Sequence, residues 1–171
     1  MKTRFDFVTN SSSSSFILAF NDKEDGYHQI VDLMKRFGSD YISCLLSDFN
    51  EETPIPLDRL YDLVHDDLES DAYWRLCYGD GSCWWTGKKT FEDQWYQQHP
   101  GAKRGEFYDS EEFKTEKKRL VDKWFNEMLS MIGERKYIVE MEYEDHTIAG
   151  SELEHEILPN CDFTVRRFSH H

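Results

Sequence analysis

The clearest helical pattern in the chain, residues 110–132, places the strongest constraint on its fold. Its apolar side chains recur every three or four residues, the spacing that collects them on one face of a helix. Asp109 and Glu112 have the spacing of a capping box, with Asp in the place of Ser or Thr, and Gly133 follows the last apolar residue. A helix with one apolar face must bury it against a second layer. The apolar members are Leu120, Val121, Trp124, Phe125, Met128, Leu129 and Ile132.

Alternating apolar residues elsewhere in the chain predict strands that supply this layer. The predicted strands are residues 4–8, 16–20, 136–144 and 162–168. Tyr78 and Cys83 flank Gly-Asp-Gly-Ser, so residues 72–78 and 83–86 predict a hairpin with a type I′ turn. Further helices are predicted at 26–37, 57–68 and 151–157, whereas residues 41–49 fit either a helix or a strand.

The order of these elements indicates an α+β fold, because strands and helices do not alternate as they do in parallel α/β proteins. We expect an antiparallel or mixed sheet packed against the helix 110–132, in a single domain over residues 1–171. A strand, a serine loop and a second strand would form its N-terminal part, residues 4–20. Residues 87–108 lack a clear period and predict a long surface loop with one short helix near 90–97.

Composition narrows the function classes. The formal net charge is −14, which disfavours direct binding to nucleic acid or to anionic lipid. The aromatic fraction of 15% supplies a core in spite of the polar average. No signal-peptide pattern and no run near 18 apolar residues occurs, and the four cysteines form no C-x-x-C pair. These features predict a cytoplasmic protein with reduced thiols.

Most of the negative charge lies in residues 40–80, which contain eleven acidic and two basic side chains. One interpretation is a solvated helix face. The other is mimicry of a nucleic-acid backbone, in which spaced carboxylates occupy the basic groove of a nucleic-acid-handling protein and binding weakens steeply with salt. The residues predicted to contact such a partner are Asp58, Asp62, Asp66, Asp67 and Glu69.

A second predicted contact region combines aromatic and basic residues. Trp84 and Trp85 belong to an aromatic-rich block, and Lys103 and Arg104 follow it. Such residues suit the centre of a protein interface, and they equally suit core and hairpin packing. Acidic neighbours separate the basic residues, so a protein partner is favoured over nucleic acid at this region.

Catalytic and metal motifs are weak. The sequence has no phosphate-binding glycine loop, no G-x-S-x-G and no H-E-x-x-H, and we assign no catalytic residue, metal or cofactor. The competing hypothesis is a small hydrolase or nucleotide-modifying enzyme whose site lies under the loop 87–108. Its candidate residues would be His99, Lys103 and Arg104.

Five consecutive serines stand between two apolar runs near the N-terminus. The run could be a plain loop, a modified or recognised segment, or a backbone anion site, although anion loops normally use glycines. Its members are Ser11, Ser12, Ser13, Ser14 and Ser15.

The whole opening, Arg4-Phe5-Asp6-Phe7-Val8-Thr9-Asn10 with the serines and Phe16-Ile17-Leu18, resembles a string that heads many otherwise dissimilar proteins of Firmicutes and their phages and mobile elements. The resemblance covers about the first tenth of the chain and implies no activity. It implies a phage or mobile-element setting, where a small acidic protein would inhibit a host nucleic-acid-handling defence protein such as a CRISPR effector. We therefore expect a non-enzymatic binding protein, an anti-CRISPR candidate. A protein that acts through a modified or processed serine segment is a further alternative.

Overall fold

The computed structural model describes residues 13–79, 87–144 and 151–170, and it confirms the α+β class. Three antiparallel strands form one sheet in the order β2-β1-β3: β1 is Ser13–Phe20, β2 is Tyr137–Glu144 and β3 is Thr164–His170. The helices are α1 (Lys23–Phe37), α2 (Ser39–Glu51), α3 (Leu57–Tyr78), α4 (Phe91–Gln98), α5 (Glu106–Asp109) and α6 (Glu111–Ile132). A π-helical segment, Leu153–Ile157, and a 3-10 turn, Leu158–Asn160, precede β3.

The chain divides into two compact units. The first, here called the sheet unit, comprises the described parts of Met1–Leu57 and Ile132–His171. The second, the helical unit, is the described part of Asp58–Met131. Two units of this kind are compatible with one domain over residues 1–171, which stays a prediction.

In the sheet unit, α1, α2 and the π-helical segment cover one face of the sheet. Phe20 of β1 lies at the centre of this core, with its ring 5.3 Å from that of Phe49 in α2 and 4.9 Å from that of Phe163. Gly26 of α1 lies directly over these rings, since a Cβ atom there would come within 2.4 Å of Phe49 Cζ. The core therefore needs a residue without a side chain at this turn of α1.

In the helical unit, α3 and α6 pack together. The rings of Tyr61 and Phe125 meet edge to face at 4.9 Å, and Lys117 Nζ lies 3.0 Å from Glu69 Oε1. The predicted amphipathic helix 110–132 is thus confirmed as α6. A buried stripe runs along α3 with one residue in every four: Leu60, Val64, Leu68, Ala72 and Leu76.

Three predictions about local structure are wrong. Residues 72–78 are the last turns of α3 and form no hairpin strand, because the buried stripe continues through Ala72 and Leu76 and its packing outweighs the strand preference of nearby aromatic residues. Ser13–Phe20 is one strand, so the last three serines of the run belong to β1 and not to a loop. Residues 87–108 contain α4, which confirms the short helix, and the start of α5, where Phe107 is buried; they form no long surface loop. The predicted strands 4–8 and 83–86 lie outside the described residues.

Candidate functional site

Three aspartates form an acidic row along α3. Asp58, Asp62 and Asp66 are four residues apart, so successive carboxylates are separated by about 6 Å along the helix axis. Each stands two residues before a member of the buried stripe, and two residues turn the chain by about 200° around a helix. The acidic row therefore lies on the side of α3 opposite its buried stripe.

The carboxylates of the acidic row are open to solvent. The side chain of Asp66 is fully exposed, and that of Asp62 retains 73% of its accessible surface. Their nearest ionic contacts are local: Arg59 Nη1 lies 3.7 Å from Asp62 Oδ2, and His65 Nδ1 lies 3.3 Å from Asp66 Oδ1. Exposed pairs of this kind contribute little to stability, so these charges are poorly explained by folding.

The other two predicted acidic contacts belong to different surroundings. Asp67 lies 100° further around α3 than Asp66 and is half-buried. Glu69 is paired with Lys117 of α6. The structure thus brings together three of the five predicted acidic residues and places Glu69 in the contact between α3 and α6.

Two exposed aromatic rings near the C-terminal end of α3 form an aromatic pair. Trp74 and Tyr78 keep 53% and 41% of their accessible surface, and their ring centroids are 4.6 Å apart. Trp74 follows Asp66 by eight residues, about 12 Å along the helix axis. The sequence analysis did not identify this pair, because it assigned residues 72–78 to a hairpin. The four-residue spacing of Trp74 and Tyr78 is typical of a helix.

Of the predicted aromatic and basic contact residues, the structure describes only the two basic ones. Trp84 and Trp85 lie outside the described residues. Lys103 and Arg104 are exposed in the turn between α4 and α5. The backbone of this turn is held by its neighbours: Gly105 N donates to the Tyr96 hydroxyl at 2.9 Å, and Lys103 N donates to Glu106 Oε2 at 2.9 Å.

A cleft of about 530 Å³ opens in the helical unit, between the end of α4 and the start of α6. The ring of His99 stacks on the Trp95 indole at 4.2 Å, with 22° between the planes. His99 Nδ1 lies 2.9 Å from the Trp95 carbonyl oxygen, and since a carbonyl only accepts, Nδ1 carries the proton and donates. The lining residues are Trp95, His99, Pro100, Gly101, Ala102, Glu106, Asp109 and Ser110.

The cleft gives little support to hydrolytic chemistry. Its hydroxyl, Ser110 Oγ, donates to the Phe107 carbonyl oxygen at 2.6 Å and accepts from Phe113 N at 3.2 Å, so it caps α6. Lys103 and Arg104 are not among the lining residues. A nucleophile needs an adjacent base, and the described lining offers no such pair.

The end of the serine run belongs to a buried polar cluster, here called the Ser14 triad. Ser14 Oγ donates to Glu154 Oε1 at 2.7 Å, and Arg167 donates to both partners, from Nε to Ser14 Oγ at 3.1 Å and from Nη2 to Glu154 Oε1 at 2.8 Å. The sheet register explains the meeting, because Arg167 pairs with Phe16, which shares a face with Ser14. Glu154 retains 1% of its accessible surface.

This geometry bears on the serine hypothesis. Ser14 and Ser15 are buried, so an enzyme could modify their hydroxyls only before folding or after local opening. Of Ser13 only the backbone, in β1, is described, and Ser11 and Ser12 lie outside the described residues. The part of the run in β1 therefore has a structural role that the sequence pattern did not indicate.

The thiols of Cys77, which is buried, and of Cys161, which is half-buried, are not activated as nucleophiles. Burial raises the pKa of Cys77 to about 11, and the nearby Glu92 carboxylate acts in the same direction. Burial also raises the pKa of Cys161 to about 11, and its thiol donates to the Ile157 carbonyl oxygen at 3.2 Å. Thiols of this kind hold almost no thiolate near neutral pH.

The described residues contain neither a candidate metal site nor a membrane-spanning helix. Within residues 13–79, 87–144 and 151–170, no group of three or more His, Cys, Asp or Glu side chains is arranged to hold a metal ion. None of the helices in the same ranges combines the length and apolar character needed to cross a membrane.

Comparison with known proteins identified no relative. No protein-family model, no curated protein and no solved structure matches this chain.

Proposed function

We propose that this protein is a non-enzymatic binding protein that engages a basic, nucleic-acid-handling protein through α3. The observation that carries the proposal is the acidic row, in which Asp58, Asp62 and Asp66 point away from the buried stripe of their own helix. Carboxylates about 6 Å apart along a straight helix present a line of negative charge to a groove that normally receives phosphates.

The aromatic pair supports the same surface. Tryptophan and tyrosine are enriched among the residues that dominate binding energy at protein interfaces, where they fill desolvated pockets. Trp74 and Tyr78 are held against each other on α3, so a partner would meet a preformed apolar anchor at small entropic cost. We expect the acidic row to accelerate association and the aromatic pair to slow dissociation.

The finer proposal is inhibition. A protein that fills a phosphate-binding groove competes with nucleic acid for it, and the resemblance of the N-terminal string to proteins of phages and mobile elements suggests a defence protein such as a CRISPR effector as the target. The net charge of −14 argues against the protein binding the nucleic acid itself.

The test is affinity capture from a Firmicute host lysate at low and high salt, followed by titration of the retained protein. The variant Asp58→Asn, Asp62→Asn, Asp66→Asn removes the acidic row. Its control, Glu24→Gln, Glu51→Gln, Glu156→Gln, removes three exposed charges from the sheet unit. We expect the first variant to weaken binding about tenfold and the control to change it little.

A second arm tests the aromatic pair. Trp74→Ala should weaken binding by about thirtyfold, chiefly by faster dissociation, whereas Met131→Ala, which truncates a comparably exposed apolar side chain on α6, should not. If a partner bound equally well to the variant without the acidic row and to the control variant, the mimicry mechanism would be wrong. It would also be wrong if the partner kept its affinity at high salt.

A further inference from the structure

The cleft beside α4 is large enough to receive a side chain of a partner. Its volume of about 530 Å³ lies within the range of small-ligand sites. It is formed within residues 95–110 of the helical unit, and none of its lining residues belongs to the acidic row or the aromatic pair. The cleft and the surface of α3 are therefore treated as two separate candidate sites.

The lining of the cleft carries negative charge. Glu106 and Asp109 contribute two carboxylates, and no lysine or arginine is among the lining residues. Lys103 N donates to Glu106 Oε2, which leaves Oε1 of that carboxylate without a donor from the described residues. No described residue donates to either oxygen of Asp109 or forms an ion pair with it. The two carboxylates thus give the lining a negative charge that no lining cation balances, which favours a ligand that carries positive charge.

One wall of the cleft is flat and aromatic. The stacked rings of Trp95 and His99 both line it, and the hydrogen bond from His99 Nδ1 fixes the orientation of the imidazole. A guanidinium group is planar, weakly hydrated and able to stack on aromatic faces while it donates two parallel hydrogen bonds to a carboxylate. A lysine ammonium is more strongly hydrated and has no plane to stack.

We propose that this cleft binds an arginine side chain of a partner polypeptide, with the guanidinium group against the aromatic wall and its N–H groups on Asp109 and Glu106. The site does not depend on the proposed contact through α3. A basic partner would nevertheless be able to use both, which would raise the overall affinity without any new contact.

The experiment follows the indole N–H signal of Trp95 by NMR, assigned with Trp95→Phe, during titration with three blocked tripeptides, Gly-Arg-Gly, Gly-Lys-Gly and Gly-citrulline-Gly. We expect a saturable shift with the arginine peptide, binding at least about threefold weaker with lysine, and no saturation with citrulline, which keeps the shape of arginine and loses its charge. Equal responses to arginine and citrulline would overturn the proposal, as would no arginine response up to the solubility limit.

Variants separate the cleft from general charge attraction. Asp109→Asn should weaken the arginine peptide about threefold, and the double variant with Glu106→Gln about tenfold. Asp109→Asn is the primary test, because Asp109 holds no backbone group, whereas Glu106 accepts from Lys103 N. The control Asp58→Asn, Asp62→Asn removes the same charge from α3 and should leave the titration unchanged. Equal weakening by the control would show attraction to overall charge and would overturn the cleft site.

Discussion

Two carboxylates, one in each unit, show how differently this acidic chain uses its charges. Glu154 of the sheet unit keeps 1% of its accessible surface and accepts hydrogen bonds from Ser14 and Arg167. Asp66 of the helical unit is fully exposed, and its Oδ1 lies 3.3 Å from Nδ1 of the neighbouring His65. A net charge counts both equally. Only the structure shows that the first belongs to the fold and that the second is available to a partner.

The aromatic residues divide in the same way. Phe16, Phe20 and Phe49 are buried in the sheet unit, where they form the core. The helical unit also buries aromatic rings, such as Phe107, but exposes the Trp74–Tyr78 pair. The sheet unit exposes Tyr27 and Phe37 to a similar extent, so exposure alone does not mark a contact site; the Trp74–Tyr78 pair is singled out by the contact between its two exposed rings.

Neutralising these two carboxylates should give the largest contrast in stability. Glu154→Gln keeps the shape of the side chain but leaves the Arg167 guanidinium without its carboxylate partner. Breaking a buried pair in this way costs about 3 kcal/mol, the lower end of the usual range because Arg167 is partly exposed. Asp66→Asn should change the free energy of unfolding by less than about 0.5 kcal/mol. Urea unfolding at neutral pH measures both.

Equal stabilities for Glu154→Gln and Asp66→Asn would contradict the distinction between structural and surface charge. Ser14→Ala sharpens the same test, since it removes the hydroxyl that bridges Glu154 and Arg167 while it retains the ion pair. We expect Ser14→Ala to lower the free energy of unfolding by about 1 kcal/mol, which would measure the contribution of the serine hydroxyl to the Ser14 triad.

Two glycines test packing in the two units. Gly26→Ala would bring a methyl group to 2.4 Å from Phe49 Cζ and 3.1 Å from Phe20 Cγ, so the core must shift. We expect a loss of about 2 kcal/mol from overpacking, although alanine is the better helix former. Gly101→Ala in the helical unit meets nothing within 4 Å and should be nearly neutral. Thermal unfolding of both variants measures the difference, and a stabilised Gly26→Ala would contradict the described core.

The sequence predicted the elements in which apolar residues recur with one clear period from end to end. The helical period of residues 110–132 predicted α6, and the alternation in residues 136–144 predicted β2. Each pattern by itself shows which face of the element is apolar and must be buried. Residues 72–78 were misassigned because aromatic residues favour strands in general, whereas Ala72 and Leu76 continue the buried stripe of α3. Local preference is weaker than such packing.

The candidate sites were less predictable, because they depend on register and on contacts distant in sequence. The acidic row follows from the period of α3, so Asp58, Asp62 and Asp66 could be placed on one side of the helix. Nothing local links Ser14 to Glu154, which lies 140 residues away. The pairing of Glu69 with Lys117, and the meeting of His99 with Asp109 at one cleft, likewise needed the fold.

Two thiols, one in each unit, test a property that the units share. Burial raises the pKa of Cys161 in the sheet unit and of Cys77 in the helical unit to about 11, from an ordinary value of 9.0. The folded state therefore holds these protons more tightly than the unfolded chain. The resulting stability is fully present below about pH 9 and is lost as the pH rises through about 11.

We therefore expect the urea midpoint to fall as the pH rises from 9 to 11, and to fall less steeply in Cys77→Ala and in Cys161→Ala. The slope with pH is the readout, because loss of packing lowers the midpoint by a similar amount at every pH. Cys44→Ala is the control, since it removes an exposed thiol. A reduced slope in only one of the variants Cys77→Ala and Cys161→Ala would show that the pKa of the other thiol is not raised in the folded protein, and would contradict the shared behaviour of the two units.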